Sequence, residues 1–95
     1  LWRVHAGDPV LAVDFGSQTV TFHCRYSSHE VRYEQVKSIR TKVTSYKSRK
    51  STVAHIYTSD VTLEIVTIQG LEEDKRARYV LRRLQERTGA KLIAQ

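Results

Sequence analysis

The sequence predicts an α+β domain: an antiparallel sheet or small barrel of six to seven strands, followed by one C-terminal amphipathic helix. Three observations carry that prediction. TVTFHCRY (19–26) alternates apolar and polar residues with the period of two of a half-buried strand. VTLEIVTI (61–68) is the densest β-branched and apolar segment, and from residue 71 the period lengthens to three and four. The 95 residues suffice for one core, so they are read as one domain, 1–95.

VLAVDF (10–15) is an apolar strand, and GSQ (16–18) supplies a short turn into 19–26. There Val20, Phe22, Cys24 and Tyr26 share the expected core face, with Thr21, His23 and Arg25 opposite. SSHE (27–30) makes the next turn before VRY (31–33), which places Tyr33 in the core as well. VKSIRTKVTSY (36–46) is β-branched and hydroxyl-rich, TVAHIYT (52–58) follows a basic stretch, and SD (59–60) turns the chain into 61–68.

In LEEDKRARYVLRRLQERTG (71–89) the apolar stripe is Leu71, Ala77, Val80, Leu81, Leu84 and Thr88. Glu72, Glu73 and Asp74 occupy the first turns and Arg82, Arg83 and Arg87 the last, a polarity that suits the helix dipole. Gly89 is the expected stop. Glu72 with Arg76 and Asp74 with Arg78 stand at i,i+4 spacing. The helix arginines therefore read as a solvated outer face. Strand hairpins followed by a helix leave no room for βαβ crossovers, so only antiparallel pairing is expected.

HEVRYEQVKSIR (29–40) resembles a joint found in bacterial pleckstrin-homology-like domains. There a strand ends in an aromatic, turns through an acid and restarts on an aliphatic residue. Tyr33, Glu34, Val36 and Ile39 hold those places here. The resemblance implies a PH-like set of strands closed at one end by the helix, and a non-catalytic adaptor or docking role, often attached to a membrane protein. Phosphoinositide-binding members carry cations around their first hairpin loop. The uncharged GSQ loop lacks them, so that site transfers to no residue of this chain.

The chemistry-bearing content is charge. The net charge is +6 with a pI near 9.8, which favours acidic partners: a protein surface, an anionic membrane or nucleic acid. From Gln35 to Ser59 six cations (Lys37, Arg40, Lys42, Lys47, Arg49, Lys50) meet no acid. KVTSYKSRKS (42–51) predicts a projecting hairpin tip, with Lys42, Lys47, Arg49, Lys50 and Tyr46 as the contact set. A bland reading stands beside it: a solvated loop, or edge lysines that block aggregation.

The leading expectation is a docking module that meets a protein partner or an anionic membrane surface. One alternative is nucleic-acid binding by the same hairpin with Tyr46 and Tyr57 stacking on bases. The other is a structural domain that self-associates through a strand edge or the helix groove. A HExxH pattern, a nucleophile elbow and a glycine-rich phosphate loop are all missing, so no enzyme is expected. A core this small leaves little room for a deep cavity, so neither a cofactor nor a small-molecule substrate is expected. His5, His23, His29 and His55 lack the close spacing of zinc ligands, and a His23–His55 pair on adjacent strands is the one metal geometry to test. Cys24, the only cysteine, reads as a small core residue in a reducing, cytoplasmic setting. No apolar run approaches the ~20 residues of a membrane helix. The lack of any methionine predicts a piece cut from a longer protein.

Overall fold

β1 (Val10–Phe15), β2 (Thr19–Cys24) and β3 (Ser28–Arg32) form an antiparallel meander in the order β1-β2-β3. The computed structural model describes residues 8–94, the side chains of residues 46 and 94 excepted. After β3 a single 3-10 turn (Tyr33–Gln35) redirects the chain, and the Gln35 side chain accepts the Arg32 backbone N–H at 2.9 Å. β4 (Val36–Tyr46), β5 (Arg49–Thr58) and β6 (Thr62–Ile68) then build a second sheet. Thr58 organises the bend before β6: its hydroxyl donates to the Val61 carbonyl at 2.7 Å and accepts the Val61 N–H at 3.0 Å. This is the local side chain–backbone bonding that favours threonine in turns.

Helix α1 (Glu72–Thr88) begins at Leu71, whose side chain offers no cap, and stops at Gly89 in the left-handed conformation (φ 70°). β7 (Lys91–Ala94) then pairs in parallel with β4, giving a second sheet of order β6-β5-β4-β7. This corrects the expectation of purely antiparallel pairing. β6 and β4 are both antiparallel to β5, so β6, β4 and β7 run the same way. β6–α1–β7 is therefore a βαβ crossover that passes over β5 and β4. The seven strands make two sheets that do not close on each other, so the small-barrel alternative is also corrected.

The core lies between the sheets and the inner face of α1. Val20, Phe22, Ile39, Ile56, Leu63 and Leu84 are almost fully buried. Each such side chain contributes about 1.5–3 kcal/mol relative to exposure. Ala77 packs against this cluster, and Leu81 belongs to it. Two expected core residues are exposed instead. Tyr26 is 79% exposed because β2 ends at Cys24, and Leu71 is 48% exposed because it precedes the helix. Tyr33 is half-buried at the rim, donating its hydroxyl to the Gly16 carbonyl at 2.6 Å. Strand bounds shift too: β3 starts at Ser28, inside the expected turn, and β5 starts at Arg49, inside the expected loop.

Candidate functional site

The β4–β5 pairing runs from Ile39↔Ile56 out to Tyr46↔Arg49, and its period of two sorts the side chains. Ile39, Ala54 and Ile56 face the core, as do Leu63 and Ile65 on β6. The opposite face carries Arg40, Lys42, Val53, His55, Tyr57 and Arg49, continued on β6 by Glu64, Val66 and Ile68. Packing of α1 and the first sheet takes place on the core side, so the described residues leave this outer face uncovered.

The predicted tip exists. Lys47 and Ser48 form its two-residue turn, both with positive φ (48° and 67°). That is the type I′ geometry that suits the twist of a hairpin, taken here without the usual Asn-Gly. Lys47, Arg49 and Lys50 are exposed, but adjacent strand positions point oppositely, so only Arg49 shares a face with Lys42. Lys42 stands opposite Val53, well down the strand from the turn. The structure thus divides the predicted contact set between the tip and the sheet face. The side chain of Tyr46 lies outside the described ones. Lys37 sits in a bulge between Val36 and Ser38.

At the base of the tip, Ser48, Arg49, Lys50, Ile68, Gln69 and Leu71 surround an open depression. Gln69 fixes it by donating its backbone N–H to the Lys50 carbonyl at 2.9 Å. Ile68 (37%) and Leu71 (48%) are exposed beside the cations. The sequence hid this neighbourhood, because Leu71 read as part of the helix stripe and Ile68 as the end of its own strand.

Down the sheet, Arg40 lies over the Tyr57 ring, its guanidinium carbon 5.7 Å from the centroid. The contact is the cross-strand diagonal, since Arg40 registers with His55 and Tyr57 follows two residues on. His55 Nε2 meets Glu64 Oε2 at 2.9 Å, and both side chains are about one-fifth exposed (23% and 22%). Between these groups is a cleft of about 60 Å³ lined by Arg40, Thr41, Lys42, Val53, His55 and Tyr57. Glu64 is the one carboxylate on the described part of this face, and His55 engages it.

Other candidates fall elsewhere. His23 pairs with Asp14 at 2.6 Å on β2, in the other sheet from His55, which corrects the idea of neighbouring strands. His5 lies outside the described residues. Among the described residues no three His, Cys, Asp or Glu side chains gather to hold a metal. On α1, Arg78 pairs with Asp74 at 3.1 Å as expected, whereas Glu72 meets Lys75 at 3.9 Å. β1 and β6, each the edge of its sheet, border an open groove of about 180 Å³ with Ala77 and Val80 of α1. Leu11, Val66 and Tyr79 stand exposed around it. No described helix is long and apolar enough to cross a membrane.

No protein-family model, curated protein or solved structure gives a significant match to this chain.

Proposed function

We propose that this chain is a non-catalytic, PH-like docking domain that lays its basic β4–β5 hairpin and the adjoining sheet face on an anionic membrane surface. One observation carries the reading: Arg49 and Lys50 project beside exposed Ile68 and Leu71, with Arg40 and Lys42 continuing the positive face along β4. Interfacial binding needs this pairing of cations with aliphatic side chains that can enter the headgroup layer. Each cation near an anionic surface contributes about 1 kcal/mol. Four of them (Arg40, Lys42 and Arg49 on the face, Lys47 at the turn) give about 4 kcal/mol before losses, a dissociation constant of roughly one millimolar. Such contact is weak and reversible, which fits a module attached to a membrane protein on the cytoplasmic side, where anionic lipids concentrate.

The nucleic-acid alternative has less support, because Tyr57 is half-buried and already engages Arg40. Self-association has an observation of its own in the β1/β6 groove, where two strand edges, unpaired among the described residues, meet exposed Leu11, Val66 and Tyr79.

Co-sedimentation with anionic against neutral vesicles, at low and physiological salt, tests the proposal. Binding should require anionic lipid, weaken with salt, and be lost in Lys47/Arg49/Lys50→Ala. Displacement by single-stranded oligonucleotide would turn the reading toward nucleic acid. Vesicle binding that ignores salt and survives the triple change would overturn it. Sedimentation of the same variants in solution reports self-association, which should not depend on the tip.

A further inference from the structure

The cleft beside Arg40 has features that general attraction to a charged surface does not require. Arg40 is exposed, and its guanidinium carbon lies 5.7 Å from the centroid of the Tyr57 ring, which stacks beside it. An arginine fork matches the oxygens of a phosphate group, which a lysine ammonium meets only as a point charge. Lys42 follows on the same face two residues along, about 6.6 Å away by strand rise. His55 stands directly across from Arg40, and its Nε2 is committed to Glu64, leaving Nδ1 as the ring's remaining nitrogen. Tyr57 also lines the cleft. The cleft measures about 60 Å³, several times the roughly 10–15 Å³ that one water needs. It is open to solvent on one side and has room for a tetrahedral oxyanion group.

We infer that the cleft between Arg40, Lys42, His55 and Tyr57 is a binding site for a phosphate monoester, presented by an anionic lipid headgroup. A monoester carries about −1.5 to −2 charges near neutral pH and three terminal oxygens, more than a diester offers. Two neighbouring cations, Arg40 and Lys42, therefore favour it over a diester of the same surface density. The inference rests on the membrane reading for the source of the group, but the cleft itself is separable from the hairpin tip. The tip supplies sequence-blind attraction along the face, and the cleft supplies choice among headgroups.

Two probes separate the site from its setting. Inorganic phosphate and glycerol phosphate, titrated into the domain and followed by amide chemical shifts, should move residues 40–42 and 53–57 saturably. Arg40→Lys keeps the charge but loses the fork, and should weaken this binding about tenfold. Lys47/Arg49/Lys50→Ala should leave it within about twofold, since isolated exposed charges beyond a Debye length couple little. Vesicles of phosphatidate, a monoester, should bind more tightly than phosphatidylglycerol vesicles matched in surface charge, and Arg40→Lys should abolish that preference.

Shifts spread without saturation over all exposed cations would overturn the cleft. Equal binding to both lipids, lost together in the tip variant, would overturn the cleft and keep the membrane reading. Saturable phosphate binding at the cleft without vesicle binding would keep the site and overturn the membrane reading. Tighter binding to an end-phosphorylated oligonucleotide than to phosphatidate would overturn the lipid assignment.

Discussion

Thr67 Oγ1 donates a 3.0 Å hydrogen bond to Asp74 Oδ1, tying the end of β6 to the first turn of α1. Both residues are buried, Asp74 to 4% exposure, and Arg78 reaches the same carboxylate at 3.1 Å. A buried carboxylate is tolerated only when bonded, and this one also faces the positive end of the helix dipole. The pair orients the helix as it leaves the sheet toward β7.

Asp74→Ala should therefore destabilise by about 2–3 kcal/mol, leaving the Thr67 hydroxyl buried without its acceptor. For a domain of this size that lowers the melting midpoint by roughly 10 °C or more. Thr67→Val should cost less, about 1–2 kcal/mol, because Arg78 still engages the carboxylate. A double-mutant cycle read by thermal unfolding checks this. Additive losses would show that the two side chains do not act together.

The Lys47–Ser48 turn places two non-glycine residues at positive φ. Each left-handed residue of this kind costs on the order of 1 kcal/mol. Replacing the pair by Asn-Gly should stabilise the hairpin by about 1–2 kcal/mol in denaturant unfolding. It also removes one cation, so vesicle affinity should fall about fivefold, equivalent to about 1 kcal/mol. Gain in stability with loss of binding would show that the strained turn serves contact rather than folding. Loss of stability would mean that the turn residues make compensating contacts.

Burial pushes the Cys24 thiol up from its ordinary range, and the nearby Asp8 carboxylate acts in the same direction, against a hydrogen bond with Ser27. The folded state thus prefers the protonated thiol. The resulting stability is present below the thiol's unfolded value of about 8.5 and is lost as pH rises through the higher folded value. Alkylation by iodoacetamide at mildly alkaline pH should be slower in the folded chain than in urea. Cys24→Ala should show a smaller loss of stability above about pH 8.5 than the parent chain. Equal alkylation rates in the folded and unfolded chains would contradict this.

What the chain itself determined is local. The alternation of 19–26 predicts β2, with Val20 and Phe22 on the core side. The aliphatic spacing of 71–88 predicts α1 with Leu81 and Leu84 inward, and Gly89 marks its end. The acid-free run from Gln35 to Ser59 locates the cations. These features rest on neighbours a few residues apart, so period and turn chemistry reveal them. Tertiary structure alone decided the rest. KLIA is too short to carry a period, and it becomes β7 only because the β4 edge is free to receive it. Asp74 reads as a solvated helix acid, yet becomes buried once α1 packs against Thr67. Arg40, Lys42, His55 and Tyr57 become one cleft only through the register of β4 on β5. Register and layer are set by which apolar faces bury each other across the fold, and no local pattern encodes that pairing.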